Sequence, residues 1–555
     1  MRRPLFGLLR GGVLLAASVP VLSCSAAAPP PQKPLVLGVA THFDQRWPLT
    51  LLDKVAEVGV RSIRDDLPWG KGEPQPGHYV FDQGDSVFVR AACRKGVDVL
   101  LVVDPRNAAY DGGDTAHSAA AQAAFGKYIN ALVDFYGARC ISAIEIGNEI
   151  NSDGLHLPKG IDPIDTYAHL LAAVRDAVKP HHPDVAILGG STNVIGTGFL
   201  EALFKAGALA NMDGVVVHPY RDHPEGVDVE LARVDAAMRR TGGHKPIWAT
   251  EFGNQVDDAR ISASLLIRML CMLSAAGVER AYWYALVDEP AYRNMGLYDS
   301  GSRIKPAGEA ARAAVRYLSN GHRGVRVDAE DRNSFIFRFG PNTVVMWGTP
   351  RPVRFTGEAH FFDATGQSIP PIQRLSEEPV IVTGNFQYML GRDEVIADSL
   401  YQFGGAPWSY FARRQNPPMQ PLTMVDWTWT SYYGGPSLRP LELKSNSAIA
   451  AGNAGNPLDP TLRYTAPTES DALVSACLAK SKQGDGMRIG VFHNGKPIHS
   501  SVLVDHGAID RLPVHLAKGD TLDFAFGPNG NAGGDALTYR IRLLTPGSKA
   551  VATCS

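Results

Sequence analysis

The stretch ISAIEIGNE (residues 141–149) decides how this chain is read. Its apolar run is short and rich in isoleucine, Gly147 stops it, and an amide and an acid follow at once. Such a run reads as a buried strand that presents polar side chains at its end. Seven more runs of this kind lie at 35–40, 60–64, 97–103, 185–188, 214–218, 246–250 and 280–285. Between them come Ala- and Leu-rich stretches such as 118–136 and 165–179, with the length and period of amphipathic helices. Eight strand–helix units over residues 33–318 predict an α/β fold, a closed TIM (β/α)8 barrel rather than an open sheet.

Polar and aromatic residues cluster just after these runs: Thr41, His42 and Phe43, then Asp65 and Asp66, Asp104, Asn148 and Glu149, Tyr220, and Glu251. In a barrel these positions form the C-terminal rim, where chemistry is done. Beyond residue 318 the pattern changes to β-rich segments separated by Gly, Pro, Asn and Asp turns. We read 319–388 as a small β-sandwich packed on the barrel and 389–555 as a second β-sandwich. Most aromatics of the last block (Trp408, Tyr410, Phe411, Trp427, Trp429, Tyr432, Tyr433) are expected in its core, because alternation along strands is what a sandwich demands.

Of the 555 residues 45% are apolar and 20% charged, an ordinary globular balance. Lys and Arg total 54 against 56 Asp and Glu, so no basic excess is present to neutralise phosphates, and nucleic acid is not an expected partner. Residues 1–32 read as an export signal and a Pro-rich spacer: Arg2, Arg3 and Arg10, an apolar run at 11–22, then small residues. That run is too short to span a bilayer, and no later stretch has about 20 uninterrupted apolar residues. VLSC (21–24) resembles a bacterial lipobox, which makes Cys24 a lipidation candidate and a route to membrane attachment; the alanines at 26–28 offer an ordinary cleavage site instead. The expected location is the periplasm or, as a lipoprotein, the outer membrane, with secretion as the alternative. Of the six cysteines, Cys477 and Cys554 are expected to staple the last domain, whereas Cys93 and Cys271, in helical patterns, are expected as isolated buried thiols.

Two acids stand out on the rim. Glu149 ends the fourth run, and Glu251, in KPIWATEFG (245–253), ends the seventh. Side chains at the mouths of strands four and seven face each other across a barrel. Glycosidic cleavage needs such a pair, one acid to protonate the leaving oxygen and one carboxylate for the anomeric carbon. Around them, Asn148 is placed to meet a sugar 2-hydroxyl, Arg64 to support a nucleophile, His218 to touch sugar or carboxylate, Tyr220 to donate to Glu251, and Trp283 to offer a sugar ring an apolar face. HHPD (181–184) falls at the opposite end of the barrel and reads as a solvated turn. No metal and no cofactor are expected.

This arrangement resembles the clan A glycoside hydrolases, whose acid/base follows an Asn after strand four and whose nucleophile ends strand seven. The resemblance implies Glu149 as acid/base, beside Asn148, and Glu251 as nucleophile. Within the clan the chain is most similar to family 39, in particular to exopolysaccharide-operon hydrolases of Gram-negative bacteria. VRSIRDDLPWGKGEPQPGHYVFD (60–82), VVVHPY (215–220) and Trp283 carry that likeness, which spans the barrel and weakly the block after it. Gly147 stands where many relatives have a bulky aromatic, which widens the pocket locally. The last block looks like an accessory jelly-roll module of bacterial polysaccharide enzymes, hence a candidate carbohydrate-binding module. The implied activity is a retaining, endo-acting hydrolase of a bacterial exopolysaccharide. The alternatives are a catalytically silent polysaccharide-binding or assembly protein, and an exo-acting glycosidase on oligosaccharides.

Overall fold

A computed structural model describes residues 33–554 except 320, 328, 329, 416, 417, 482 and 483. The export signal and Cys24 therefore lie outside the described residues. Eight parallel strands close a barrel in sequence order: β1 (Val36–Ala40), β2 (Ser62–Asp66), β3 (Asp98–Val103), β4 (Ile141–Ile146), β5 (Ala186–Thr192), β6 (Gly214–Val217), β7 (Ile247–Phe252) and β8 (Val278–Trp283). The helices expected at 118–136 and 165–179 run over Ala119–Tyr136 and Pro163–Val178. Each starts at a side-chain cap: Ser118 accepts from the amide of Ala121, and Asp162 from those of Ile164 and Asp165.

Strand alternation sorts the barrel residues into two sets. Leu100, Ala143, Leu188, Val216, Trp248 and Tyr282 meet inside the barrel as one apolar layer. Their neighbours Leu101, Ile144, Val215, Val217, Ala249 and Trp283 face outward into the larger core shared with the helices. Gly38 on β1 admits Tyr282 to that inner layer, since a Cβ there falls 2.3 Å from the tyrosine ring. Two residues further along, the inward positions turn polar, with Glu145, His218 and Thr250 all buried. The site is built on this second layer.

Behind the barrel, β9 (Gly324–Val327), β10 (Ser334–Phe339), β11 (Thr343–Gly348), β12 (Val353–Phe362) and β13 (Val380–Leu390) form an antiparallel sheet in the order β12-β13-β11-β10-β9. Phe335, Phe337 and Phe339 pack into the barrel's outer core, while Ile336, Val344 and Met346 pack under the long β12–β13 hairpin. From β14 (Val395–Asp398) to β28 (Ala536–Leu544) two further antiparallel sheets enclose a separate core. Trp408 and Tyr410 are buried there as expected and Tyr432 is also buried, but Trp427 and Trp429 are exposed.

Cys477 and Cys554 are bonded, and Cys271 is a buried free thiol, both as expected. The expectation for Cys93 needs correction, because it is bonded to Cys140 with Cα atoms 5.0 Å apart. The helical pattern located the short helix Phe88–Arg94 correctly, but local periodicity carries no information about the β4 entry that passes beside it, 47 residues away.

Candidate active site

The floor of the site is a buried charge network. Arg64, inward on β2, donates from Nε and Nη2 to Glu145 at 3.0 and 3.2 Å. From Nη1 it donates to Glu251 at 2.6 Å, and from Nη2 also to Asn148 Oδ1 at 2.7 Å. Glu145 further accepts from Ser191 Oγ at 2.5 Å and Thr250 Oγ1 at 3.2 Å. His218 Nε2 lies 3.1 Å from Thr250 Oγ1, so its N–H continues the chain to Glu145 through that hydroxyl. Arg64 and His218 are two cations set against two buried carboxylates, Glu145 and Glu251, which is how charge survives out of water.

Above this floor stand the two rim acids. Glu251 accepts from Tyr220 Oη at 2.6 Å and from Arg64, and is 9% exposed. Glu149 is 28% exposed, with His218 Nδ1 at 3.4 Å from its Oε1 and 3.7 Å from Glu251 Oε2. One oxygen of each acid lies within 4.8 Å of the other. The turn that aims Glu149 is tight. Gly147 has φ 73° and Glu149 itself φ 48°, a left-handed conformation uncommon for a non-glycine and typical of functional sites. Gly154 closes that turn, because a Cβ there would sit 1.7 Å from the Asn148 carbonyl oxygen.

These contacts set the charges. Burial pushes the Glu251 carboxyl up, but the His218 and Arg64 cations and the Tyr220 hydroxyl together hold it below the usual range, so it is ionised. Burial would lower His218, yet the Glu251 charge and hydrogen bonds to Glu145 and Glu149 raise it to about 9. The Glu145 carboxyl, opposed by burial but held by Arg64 and His218, falls to about 2. The donor atoms of Glu149, His218 and Glu251 lie within 4.8 Å of one another, close enough to share a cation. His42, Asp44 and Asp66 form a second cluster on the β1–β2 side, where His42 Nε2 already pairs with Glu289 at 2.7 Å.

The raised His218 value fixes a sign. A group moved from 6.5 to about 9 on folding stabilises fully below pH 6.5, and the contribution is lost as pH rises through 9. Thermal melts of the wild type from pH 6 to 10 should therefore fall along that limb, and His218→Asn should flatten it. An unchanged limb in the variant would assign it to other groups.

No protein-family model matches the chain, and no curated protein matches it in sequence. Solved structures do resemble it. A family 39 glycoside hydrolase from the gut symbiont Bacteroides cellulosilyticus WH2 superposes with TM-score 0.53 at 21% identity, over 63% of this chain and 81% of that one. Over that stretch the chain shares this hydrolase's fold. A family 39 β-xylosidase from Caulobacter crescentus (TM-score 0.48, 18% identity, 64% of this chain and 97% of that one) and the catalytic domain of a family 30 xylanase C from Talaromyces cellulolyticus (0.47, 12%, 65% and 98%) also align.

On this barrel, Glu149, Glu251, Asn148, Arg64, His218 and Tyr220 come together as one constellation. Trp283 does not join it and is corrected here: it is fully buried, faces the helices and donates its indole N–H to the Met295 carbonyl. Parity is the reason, since inward Tyr282 puts its partner two residues on, Tyr284, at the mouth. The Tyr284 hydroxyl lies 3.1 Å from His42 Nε2, and its ring centroid lies 6.4 Å from that of Tyr220. Asp104 pairs with Arg106 instead. Glu145, Ser191, Thr250 and Tyr284 were missed. A glutamate four residues before Glu149, inside an apolar strand, was the available signal for the first of them.

Proposed function

We propose that the chain is a retaining O-glycoside hydrolase that cuts a bacterial exopolysaccharide at internal bonds. The observation that carries this reading is the Glu149–Glu251 pair, with carboxylate oxygens within 4.8 Å. A separation of about 5–5.5 Å between carboxyl groups lets the second acid attack directly, whereas an inverting enzyme keeps about 6.5–9.5 Å to seat a water. Glu251, ionised by Arg64, His218 and Tyr220, attacks the anomeric carbon while Glu149 gives its proton to the leaving oxygen. The C–O bond breaks and a glycosyl ester forms on Glu251. Glu149, now a carboxylate, takes a proton from water, whose oxygen attacks the same carbon and frees Glu251. Asn148, its Oδ1 held by Arg64, keeps its amide nitrogen as a donor for a sugar hydroxyl.

The polymer and the internal cut rest on two supports: the export signal read in residues 1–32, and a cleft beside the site lined by Tyr220 from the rim and by Trp429 from the last domain. A panel of purified bacterial exopolysaccharides tests both. We expect a mixed series of oligosaccharides early in the digest of one polymer. Release of a single monosaccharide from the start would make the action exo. Binding of a polymer with no cleavage would replace the hydrolase by a binding protein.

A further inference from the structure

We infer that the DWTWTS segment (426–431) of the last domain completes the site as a subsite for a sugar on the leaving-group side, with Trp429 as its stacking face. The inference rests on the hydrolase reading above, and names a part of the site that the barrel does not contain. The segment lies between β17 (Thr423–Val425) and β18 (Tyr432–Gly434) and is seated on the rim by polar contacts. Gly198 N–H donates to Asp426 Oδ1 at 3.1 Å, and Asn151 Nδ2 donates to the Trp427 carbonyl at 2.8 Å. Trp429 N–H donates to Asn193 Oδ1 at 3.0 Å, and Asn193 N–H in turn donates to Asn151 Oδ1 at 2.9 Å. Asn151 is two residues beyond Glu149. The loop that aims the acid thus also holds the segment.

Trp429 is held in an unusual state. Its φ of 61° is left-handed, rare for a bulky side chain, and 59% of its surface is exposed. Such a conformation persists only where surrounding contacts impose it, and it accumulates at ligand sites. Trp429 lines a cleft of about 250 Å³ together with Tyr220, the residue that donates to Glu251. The rest of that wall offers charged and amide groups, among them Arg221, His223, Lys444 and Asn446. One aromatic face among many hydrogen-bonding groups suits a pyranose, which has an apolar C–H face and a rim of hydroxyls. The leaving-group side follows from the tether, because Glu149 is the acid that protonates the departing oxygen.

The test uses the full chain and two readouts. A printed array of β-linked gluco-, xylo- and manno-oligosaccharides and bacterial exopolysaccharides is probed with Glu251→Gln, alone and combined with Trp429→Ala or Trp429→Phe. In parallel, oligosaccharide hydrolysis is followed for the Trp429 variants with Glu251 intact. Trp429→Ala should weaken array binding and raise KM about tenfold, the value of one lost ring contact, with an unchanged melting temperature; Trp429→Phe should restore most of it. Cleavage with KM unmoved in Trp429→Ala overturns the subsite and leaves the hydrolase standing. Loss of array binding in Trp429→Ala, with no cleavage by any form, leaves the sugar subsite standing and overturns the hydrolase. No binding and no cleavage overturns both.

Discussion

Glu251→Gln should cut turnover by about 10⁴- to 10⁶-fold, the range seen when a covalent nucleophile is removed from a site whose other parts remain. The amide oxygen can still accept from Arg64 while the amide NH2 turns to the Tyr220 oxygen, which can accept from it, so the fold should hold and glycan affinity should persist. Azide then separates the two acids. In Glu149→Ala, a substrate with a good leaving group still forms the glycosyl ester on Glu251, because that step no longer needs a proton. Azide enters the space Glu149 vacated and attacks from the face water would use, giving a glycosyl azide of retained configuration. In Glu251→Ala, azide takes the nucleophile's place and yields the opposite anomer. Product configuration by NMR reads both results. A Glu251→Gln enzyme within tenfold of wild type, or the same anomer from both variants, would sink the assignment.

Much of this site was legible because its main residues end apolar runs; Arg64 and His218 also keep the inward parity of their strands, whereas Glu251 follows inward Thr250 at a register shift in β7. Arg64, His218, Glu149 and Glu251 stand at the mouths of β2, β6, β4 and β7, where sequence alone tells a strand from its exit. Parity within a run was less legible. The run at 280–285 holds three aromatics in a row, and only the pairing of Gly38 with Tyr282 shows that Tyr282 and Tyr284, not Trp283, share the inner side. Long-range partners were not legible at all. Trp429 meets Asn193 across 236 positions and Asn151 meets Trp427 across 276, and neither contact leaves a periodicity behind. Glu145 was hidden for a different reason. A carboxylate inside an apolar strand looks like an interruption until the arginine that neutralises it, 81 residues away, is seen beside it.

Arg64→Met should cost about 3–5 kcal/mol of stability, because removing one partner of a buried pair leaves an uncompensated charge out of water. Glu145 is the group that suffers most: it is fully buried and takes two of the guanidinium's hydrogen bonds. Pairing Arg64→Met with Glu145→Met should recover most of the loss, since a buried ion pair exchanged for apolar side chains of similar volume is often neutral. Turnover should not recover with it. Glu251 would still lack the 2.6 Å contact that helps keep it ionised, and Asn148 would lose the donor that orients its amide. Chemical denaturation and kcat/KM on the single and double variants therefore split two roles held by one side chain. A double variant no more stable than Arg64→Met would mean that the Glu145 pair is not what Arg64 stabilises. A double variant that regains turnover would remove Arg64 from the chemistry and leave His218 and Tyr220 to hold the nucleophile alone.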